Sequence, residues 1–230
     1  MTELSEQKKN NPMWTRRDWI LLAINVLIFA GLAAAFYDRL PDQVISHYDA
    51  QGRPNDTMAK WSFWLLYGAL GTLLPSGLTL IRQIDPRKPN YERFKGYFYL
   101  MRYAVSLFLH GIFLIIILDN LDYELPVHKL VIGGIGLLWI VIGNGMGQLR
   151  SNFFVGIRTP WTLTDDDNWR KTHRIGGRLW VLAGLIMLAG ACFLNTAGII
   201  AALVVGIVLS VVVPVVYSYN LHRKKSAKTD

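Results

Sequence analysis

Long apolar runs separated by polar segments constrain this chain more than any other feature of its sequence. A helix of about 20 residues crosses a hydrocarbon core of about 30 Å, so runs of this length are typical of lipid-facing helices. Charged residues make up 17% of the chain, against about 25% in soluble domains. The pattern predicts an all-α membrane protein with about six transmembrane helices, at residues 19–37, 61–81, 96–118, 127–146, 179–194 and 197–217.

Lys and Arg are distributed unevenly between the two sides of such a bundle. Four precede the first run, six lie within 82–102, six within 150–178 and four after 217. The other side holds four: Arg39, Arg53, Lys60 and Lys129. Because cytoplasmic loops carry the excess of basic residues, both termini are predicted to be cytoplasmic. The same bias accounts for the net charge of +8, and no direct nucleic acid binding is expected.

The chain therefore divides into five parts, each defined by its helices or its charge. In order, these are a cytoplasmic tail (1–18), helices one and two with an outer loop at 38–60 (19–82), helices three and four (83–147), a cytoplasmic loop at 148–178 with helices five and six (148–217), and a basic cytoplasmic tail (218–230).

The segment 144–178 is the longest polar interruption between apolar runs. Thr164 precedes three aspartates, and Asp167 stands three residues later, as in a capping box. This arrangement predicts a short interfacial helix from 165 to about 175, with Arg170 and Arg174 on a basic stripe. Such a helix is typical of a connector on anionic lipid, and the alternative is a docking surface for a cytoplasmic partner.

Arg158 follows an apolar stretch near the predicted membrane interface. A partly buried guanidinium needs a fixed partner, so pairing with one of the three aspartates is preferred over binding a lipid phosphate. A metal site on the three aspartates is disfavoured, because consecutive helical residues point about 100° apart.

The outer loop contains His47 and Asp49, which are weak candidates for a metal site because two ligands two residues apart are a common pattern. The interpretation preferred here is structural: Asp49, Gly52 and Asn55 are typical turn residues. The loop is then a compact cap on the outer ends of the helices, and no cofactor is expected.

Several polar or small residues lie inside the apolar runs. Asn25, His110 and Asn144 are interpreted as interhelical hydrogen-bonding groups. Pro75 should distort the second helix, with Ser76 or Thr79 satisfying a freed carbonyl. Close helix contacts are expected at four glycines: Gly133, Gly136, Gly143 and Gly147.

Two stretches resemble known families. LPDQVISHYDAQGRPNDTMAKW, in the outer loop, resembles DUF1648, a domain of unknown function, with matching residues Leu40, Pro41, His47, Gly52, Pro54 and Lys60. NFFVGIRTPWTLTDDDNWRKTHRIGG, in the cytoplasmic loop, resembles the signature of the SdpI family, with matching residues Asn152, Gly156, Arg158, Thr159, Pro160, Trp161, Trp169, His173 and Arg174.

The resemblance implies a multi-pass protein of the bacterial cell membrane that gives immunity to a secreted peptide toxin. It also implies signalling, in which a cytoplasmic transcriptional repressor is held at the membrane. The outer residues would then meet the toxin, and the cytoplasmic residues would meet lipid and the repressor.

Two alternatives remain open at this point. Intramembrane polar residues would line a solute path in a small transporter, and His47 with Asp49 would hold a metal in a membrane enzyme. No His-Glu-x-x-His, Gly-x-Ser-x-Gly or Gly-Lys-Ser/Thr motif occurs in the sequence, and such motifs carry most recognisable hydrolytic and phosphate chemistry. The prediction is therefore a protein that is not an enzyme.

Overall fold

Six helices that are long and apolar enough to cross a membrane form the protein, as a computed structural model describes it for residues 14–227. The predicted all-α membrane fold is confirmed. The six spans are α1 (Arg16–Phe36), α2 (Lys60–Ile84), α3 (Lys95–Asp119), α4 (Val127–Gly145), α6 (Asp166–Phe193) and α7 (Thr196–Ser226).

The predicted tails lie partly outside the described residues. Of the tail at 1–18, residues 1–13 are not described, and α1 begins at Arg16 behind a capping box formed by Thr15 and Asp18. Of the tail at 218–230, residues 228–230 are not described. The described part is helical to Ser226, so α7 is longer than expected.

The outer loop contains a β-hairpin that the sequence pattern did not predict. Strands β1 (Gln43–Tyr48) and β2 (Pro54–Ala59) pair antiparallel. Asp49 shapes the turn by accepting hydrogen bonds from the amides of Gln51 and Arg53, both at 2.9 Å. Gly52 has a φ of +79°, which favours glycine.

The hairpin is fixed to the end of α3. The side chain of Asn120 accepts from the Ile45 amide at 2.7 Å and donates to the Ile45 carbonyl at 3.1 Å. The Tyr48 hydroxyl donates to Asp119 at 2.8 Å. Burial, together with this carboxylate, raises the pKa of Tyr48. The loop therefore forms a cap anchored by polar contacts.

An aromatic core lies beneath the hairpin and joins it to the membrane helices. Val44 from β1 is fully buried there, and Tyr67 of α2 stacks on Phe113 of α3 with ring centroids 4.4 Å apart. The buried members are Leu40, Val44, Phe63, Trp64, Tyr67, Phe113 and Ile117. We call the end of the bundle that carries this core the hairpin face.

Two spans contain a π-helical turn just before a proline. Gly68–Leu73 precedes Pro75 in α2, and Val208–Val212 precedes Pro214 in α7. Proline has no amide hydrogen and crowds the preceding turn, so each helix widens there. Ser76 donates to the Thr72 carbonyl at 2.8 Å, four residues before it, whereas the carbonyl four residues before Pro75 is that of Gly71.

A buried polar cluster links α1, α2 and α3 within the membrane. Asn25 accepts from Ser106 at 2.6 Å and donates to Ser76 at 3.1 Å. His110 lies 3.3 Å from the Asn25 oxygen and 2.7 Å from the Tyr67 hydroxyl. The interhelical bonds predicted for Asn25 and His110 are confirmed.

Asn144 does not join such a cluster: its side chain is exposed on α4, so the interhelical bond predicted for it is wrong. The stretch around Asn144 contains Gly143 and Gly145, which are buried against neighbouring helices. Those contacts set the rotation of α4 and leave Asn144 facing outward.

Helices α4 and α6 approach each other through glycines. A side chain at Gly136 would lie 2.7 Å from the Gly184 carbonyl, and one at Gly143 would lie 2.8 Å from the Gly177 carbonyl. Small residues permit this approach in membranes. The predicted close contacts are confirmed at Gly136 and Gly143, whereas Gly133 and Gly147 have only ordinary spacing.

A buried ion cluster lies at the opposite end of the bundle from the hairpin. Asp18 of α1 is fully buried and pairs with Arg102 of α3, and with Arg82 of α2 at 3.1 Å. Arg102, which is 1% exposed, also donates to the carbonyls of Pro75 and Ser76 at 3.1 and 3.0 Å. Three spans therefore share one acid.

We predict that Arg102→Met lowers the free energy of unfolding by about 3–5 kcal/mol, because it leaves Asp18 buried without its closest partner. Thermal and denaturant unfolding in detergent micelles would measure the loss. Lys95→Met is the control, since it breaks an exposed pair with Glu92 and should cost less than about 1 kcal/mol. Equal losses in the two variants would contradict the prediction.

Candidate functional site

The candidate site is the loop that joins α4 to α6, together with the first turns of α6. A 3₁₀ turn, Met146–Gln148, ends α4, and we call residues 149–165 the motif loop. The loop packs on the connection between α2 and α3, which includes a 3₁₀ helix at Lys88–Arg93. We call the end of the bundle formed by these segments the motif face.

Asn152 organises the start of the motif loop. Its side-chain oxygen accepts from the amides of Phe154 and Val155 at 3.0 and 2.7 Å. Its nitrogen donates to the carbonyls of Arg150 and Val155 at 2.9 and 3.0 Å. Asn152 is fully buried, so it takes the place of main-chain partners and water in this turn.

Asp85, which the sequence analysis missed, supports the same turn from the neighbouring segment. It is buried and accepts from the Phe153 amide at 2.9 Å and from the Tyr91 hydroxyl at 3.0 Å. Burial, together with this carboxylate, raises the pKa of Tyr91. The available signal was an acid directly before Pro86 in a mainly basic segment.

His173 closes the loop onto α6. The Ile157 amide donates to His173 Nε2 at 2.9 Å, so that nitrogen must be the acceptor. Nδ1 then carries the proton and donates to the Trp169 carbonyl at 2.8 Å. Gly156 has a φ of +112°, and a side chain there would collide with the imidazole. The position of the His173 imidazole therefore requires a glycine at 156.

Trp169 anchors α6 in the aromatic core of the motif face. It stacks on His173 with ring centroids 4.0 Å apart and donates to the Leu149 carbonyl at 3.0 Å. It is buried with residues from the α2–α3 connection, α3 and the end of α4, namely Tyr91, Phe94, Tyr97, Phe98, Met146 and Leu149.

A one-turn helix, α5 (Pro160–Thr164), completes the loop. Thr159 and Thr162 form a reciprocal cap, in which the Thr159 amide donates to the Thr162 hydroxyl at 2.9 Å. Proline suits the first helical position because no acceptor is needed for its missing amide hydrogen. Trp161 donates to Ser218 at 2.6 Å and so joins α5 to α7.

The predicted interfacial helix is corrected in position. The short helix of this loop is α5, whereas residues 166–175 form the start of α6, which is continuous through span five. Asp165 caps α6 instead of Thr164, accepting from the amides of Asp167 and Asn168. Trp169 and His173, which lie four residues apart on α6, are buried against protein rather than lipid.

The predicted pairing of Arg158 with an aspartate is wrong. Arg158 is exposed and donates to the Phe153 carbonyl at 2.6 Å. Asp165 pairs with Lys225 at 2.8 Å, and Asp167 pairs with Lys171 at 2.6 Å. The Lys225 ammonium holds the pKa of Asp165 below its usual value. Local and α7 lysines thus supply the counterions that Arg158 was expected to provide.

The motif residues therefore separate into three groups. Asn152, Thr159, Trp169 and His173 are buried and hold the loop together. Gly156 and Pro160 fix its backbone, and Trp161 is half-buried against α7. The exposed charged members are Arg158 and Arg174.

The residues predicted in the outer loop lie on the hairpin face, at the other end of α2 from the motif face. Pro41, His47 and Pro54 are exposed, and Gly52 forms the turn. Lys60 donates to the Leu40 carbonyl at 2.9 Å and pairs with Asp42 at 3.3 Å. The two predicted residue sets are therefore not brought together.

The alternative in which His47 and Asp49 bind a metal ion is not supported by the positions of these side chains. Asp49 pairs with Arg53 at 2.9 Å, and His47 Nδ1 contacts the Ser46 hydroxyl at 3.0 Å. Within residues 14–227, no three His, Cys, Asp or Glu side chains are grouped so that they could hold a metal ion.

Comparison with known proteins matches both ends of the chain. Residues 148–218 match the SdpI/YfhL protein family, and residues 24–70 match a domain of unknown function, DUF1648. The chain is 29% identical over 133 residues to the immunity protein SdpI of Bacillus subtilis (strain 168). That alignment covers 58% of this chain and 64% of the relative. No solved structure matches the chain.

We predict that His173→Phe loosens the motif loop. The ring stack on Trp169 is retained, but the Ile157 amide loses its acceptor, and a buried unsatisfied donor costs about 1–3 kcal/mol. Hydrogen–deuterium exchange should become faster in residues 153–158. The matched control is Arg174→Gln, an exposed neighbour expected to change stability by less than about 0.5 kcal/mol. Unchanged exchange in His173→Phe would exclude this role.

Proposed function

Because this chain is an SdpI-family protein of the bacterial cell membrane with a DUF1648 region, we propose that it gives immunity to a secreted peptide toxin. The observation that carries the proposal is the 29% identity over 133 residues to a protein named for immunity. The role is one of binding, and it needs no catalytic group. The match covers 64% of that relative, so toxin protection is transferred as a hypothesis.

In the proposed orientation, the hairpin face lies outside the cell and the motif face in the cytoplasm. The support is the excess of Lys and Arg in the segments of the motif face, since cytoplasmic loops are enriched in these residues. The motif-face segments 82–102 and 150–178 each hold six of them, whereas the hairpin-face segments hold four in all. A secreted peptide would then reach the hairpin first.

The toxin-binding surface that we propose is a cleft of about 540 Å³ beside the hairpin. Apolar side chains, including Leu40 and Ile45, form part of its wall, and Asp119 and Asp122 place carboxylates there beside Arg39. A lining that combines apolar and charged side chains suits an amphipathic peptide. The apolar contacts bury surface of the peptide, and the few charges fix its orientation in the cleft. Asn120 holds the cleft in shape through its bonds to Ile45.

We further propose that the motif face binds a cytoplasmic protein. A signalling role would require such a contact, because the signal has to reach a partner inside the cell. The buried residues make a rigid loop, and the exposed guanidinium of Arg158 projects from it. Arginine is favoured at contacts with carboxylates because its planar group can form two parallel hydrogen bonds. A transcriptional repressor is the partner that this proposal names.

The immunity proposal predicts killing of cells that lack this gene. A deletion strain mixed with wild type in the native host should lose survivors under conditions where the neighbouring genes are expressed, and the intact gene should rescue it. Equal growth of the two strains under those conditions would reject self-protection and favour the transport alternative.

If the toxin binds in the proposed cleft, a substitution in its lining should weaken protection, and one elsewhere on the hairpin face should not. Asp122→Asn removes one exposed charge and should lower survival about tenfold, as expected when a charge-assisted hydrogen bond of about 1.5 kcal/mol is lost. Asparagine also tolerates the positive φ of 62° at this position. Asp56→Asn, on β2 outside the cleft lining, should protect fully. If the Asp122→Asn variant protects fully, the cleft is not the toxin-binding surface.

The signalling part predicts that Arg158→Ala abolishes the response while the protein remains in the membrane. Transcription from the gene's own promoter, followed with a reporter, should rise on toxin exposure in wild type and stay at the basal level in the variant. Arg53→Ala, an exposed arginine on the hairpin, is the control and should respond normally. A normal response in Arg158→Ala would show that Arg158 does not bind the partner.

A further inference from the structure

A second cavity, of about 450 Å³, opens on the motif face between three segments of the chain. The α2–α3 connection contributes Arg93, the motif loop contributes Arg150, and the first turns of α6 contribute Arg170. These arginines are far apart in sequence, and the fold of the motif loop brings them to one cavity. We call this cavity the arginine pocket.

The arginine pocket carries an excess of positive charge. Neither Arg93 nor Arg150 forms an ion pair with any residue in the range 14–227, whereas Arg170 pairs with Asp167 at 2.5 Å. Asp166 is the one acid among the residues that line the cavity. Three guanidinium groups therefore face one carboxylate, and a concave surface of one charge sign concentrates counterions.

The walls of the pocket are held in place by hydrogen bonds between the segments that form it. Trp169 lines it and donates to the Leu149 carbonyl. Asn90 donates to the Ser151 carbonyl at 2.7 Å, which ties the α2–α3 connection to the motif loop. The arginines thus project from a fixed frame, and a ligand does not have to order the backbone.

The length of α6 places the pocket near the level of lipid headgroups. Its 28 residues extend about 42 Å, whereas the hydrocarbon core is about 30 Å thick. Counting about 20 residues back from Phe193 puts the core boundary near Arg174. Arg170, one turn further out, then lies about 6 Å beyond the hydrocarbon, in the headgroup layer.

From this geometry we propose that the arginine pocket binds a phosphate group. Arginine recognises phosphate through two parallel N–H···O bonds, and two of the three guanidinium groups here have no acid to compete with a ligand. The phosphate could belong to an anionic lipid headgroup or to a soluble phosphorylated molecule. The site goes beyond the proposed immunity function and does not depend on it.

Binding should be tested on the full chain purified in a neutral detergent. In one arm, inorganic phosphate is titrated and followed by thermophoresis; in the other, phosphatidylglycerol is added and retained lipid is counted by native mass spectrometry. We expect Arg150→Gln and Arg93→Gln each to weaken binding about tenfold. Rising salt should weaken it further, since exposed charges are screened.

Two more variants separate the pocket from general surface charge. Asp166→Asn removes the opposing carboxylate and should tighten binding severalfold. Arg223→Gln makes the same charge change on α7, outside the lining residues, and should leave binding unchanged. Unfolding of each variant without ligand checks that the fold is retained.

The results distinguish a lipid headgroup from a soluble phosphorylated molecule as the ligand, or show that the arginine pocket does not bind phosphate. Arginine-dependent retention of phosphatidylglycerol with no binding of inorganic phosphate would support a lipid headgroup. Arginine-dependent binding of inorganic phosphate, without selective lipid retention, would support a soluble ligand. If neither probe binds, or if Arg223→Gln weakens binding as much as Arg150→Gln does, the proposal is overturned.

Discussion

A bilayer offers no water to the polar groups inside it, and the arrangement of the first three spans follows from that constraint. Each buried polar atom without a partner would cost several kcal/mol. Asn25, Ser76, Ser106 and His110 meet this demand by bonding across helices. The only charged residues in these spans that are nearly fully buried, among those described, are Asp18 and Arg102, and they pair with each other. These polar contacts fix which helices are neighbours and at what height.

The same principle governs the motif loop, although that loop lies outside the apolar part of the bundle. Its main-chain groups are shielded by aromatic side chains, so Asn152, Asp85 and His173 supply the missing partners. Residues that stand out in the sequence as a chemical motif are therefore largely the residues that fold the loop. The charged members of the motif that remain exposed are Arg158 and Arg174.

Hydropathy and charge were sufficient to predict the six spans, because the bilayer sets both helix length and the location of apolar residues. The location of the short helix was not predictable in the same way. Trp169 and His173 recur at helical spacing, and that spacing alone cannot distinguish a stripe facing lipid from one facing the α2–α3 connection. Arg158 was misassigned for a related reason, because the position of Lys225 beside Asp165 depends on how α7 packs.

The hairpin and Asp85 show a second limit of the sequence. Strand β2 reads PNDTMA and has no alternation of apolar and polar residues, since polar contacts hold the hairpin in addition to the burial of Val44. Asp85 acts on a segment more than 60 residues away. Neither a local pattern nor a local motif reports such contacts, whereas the turn residues Asp49 and Gly52 were recognisable because their role is local.

The continuity of α6 has a mechanical consequence. A single helix of 28 residues behaves as a stiff rod about 42 Å long, and its glycine contacts with α4 lie along its middle, where they can serve as a pivot. A tilt of about 5° about that pivot would displace each end by roughly 2 Å, given that length. Small adjustments near Phe193 would thus become displacements, at the scale of an atom, of the turn that carries Trp169 and His173.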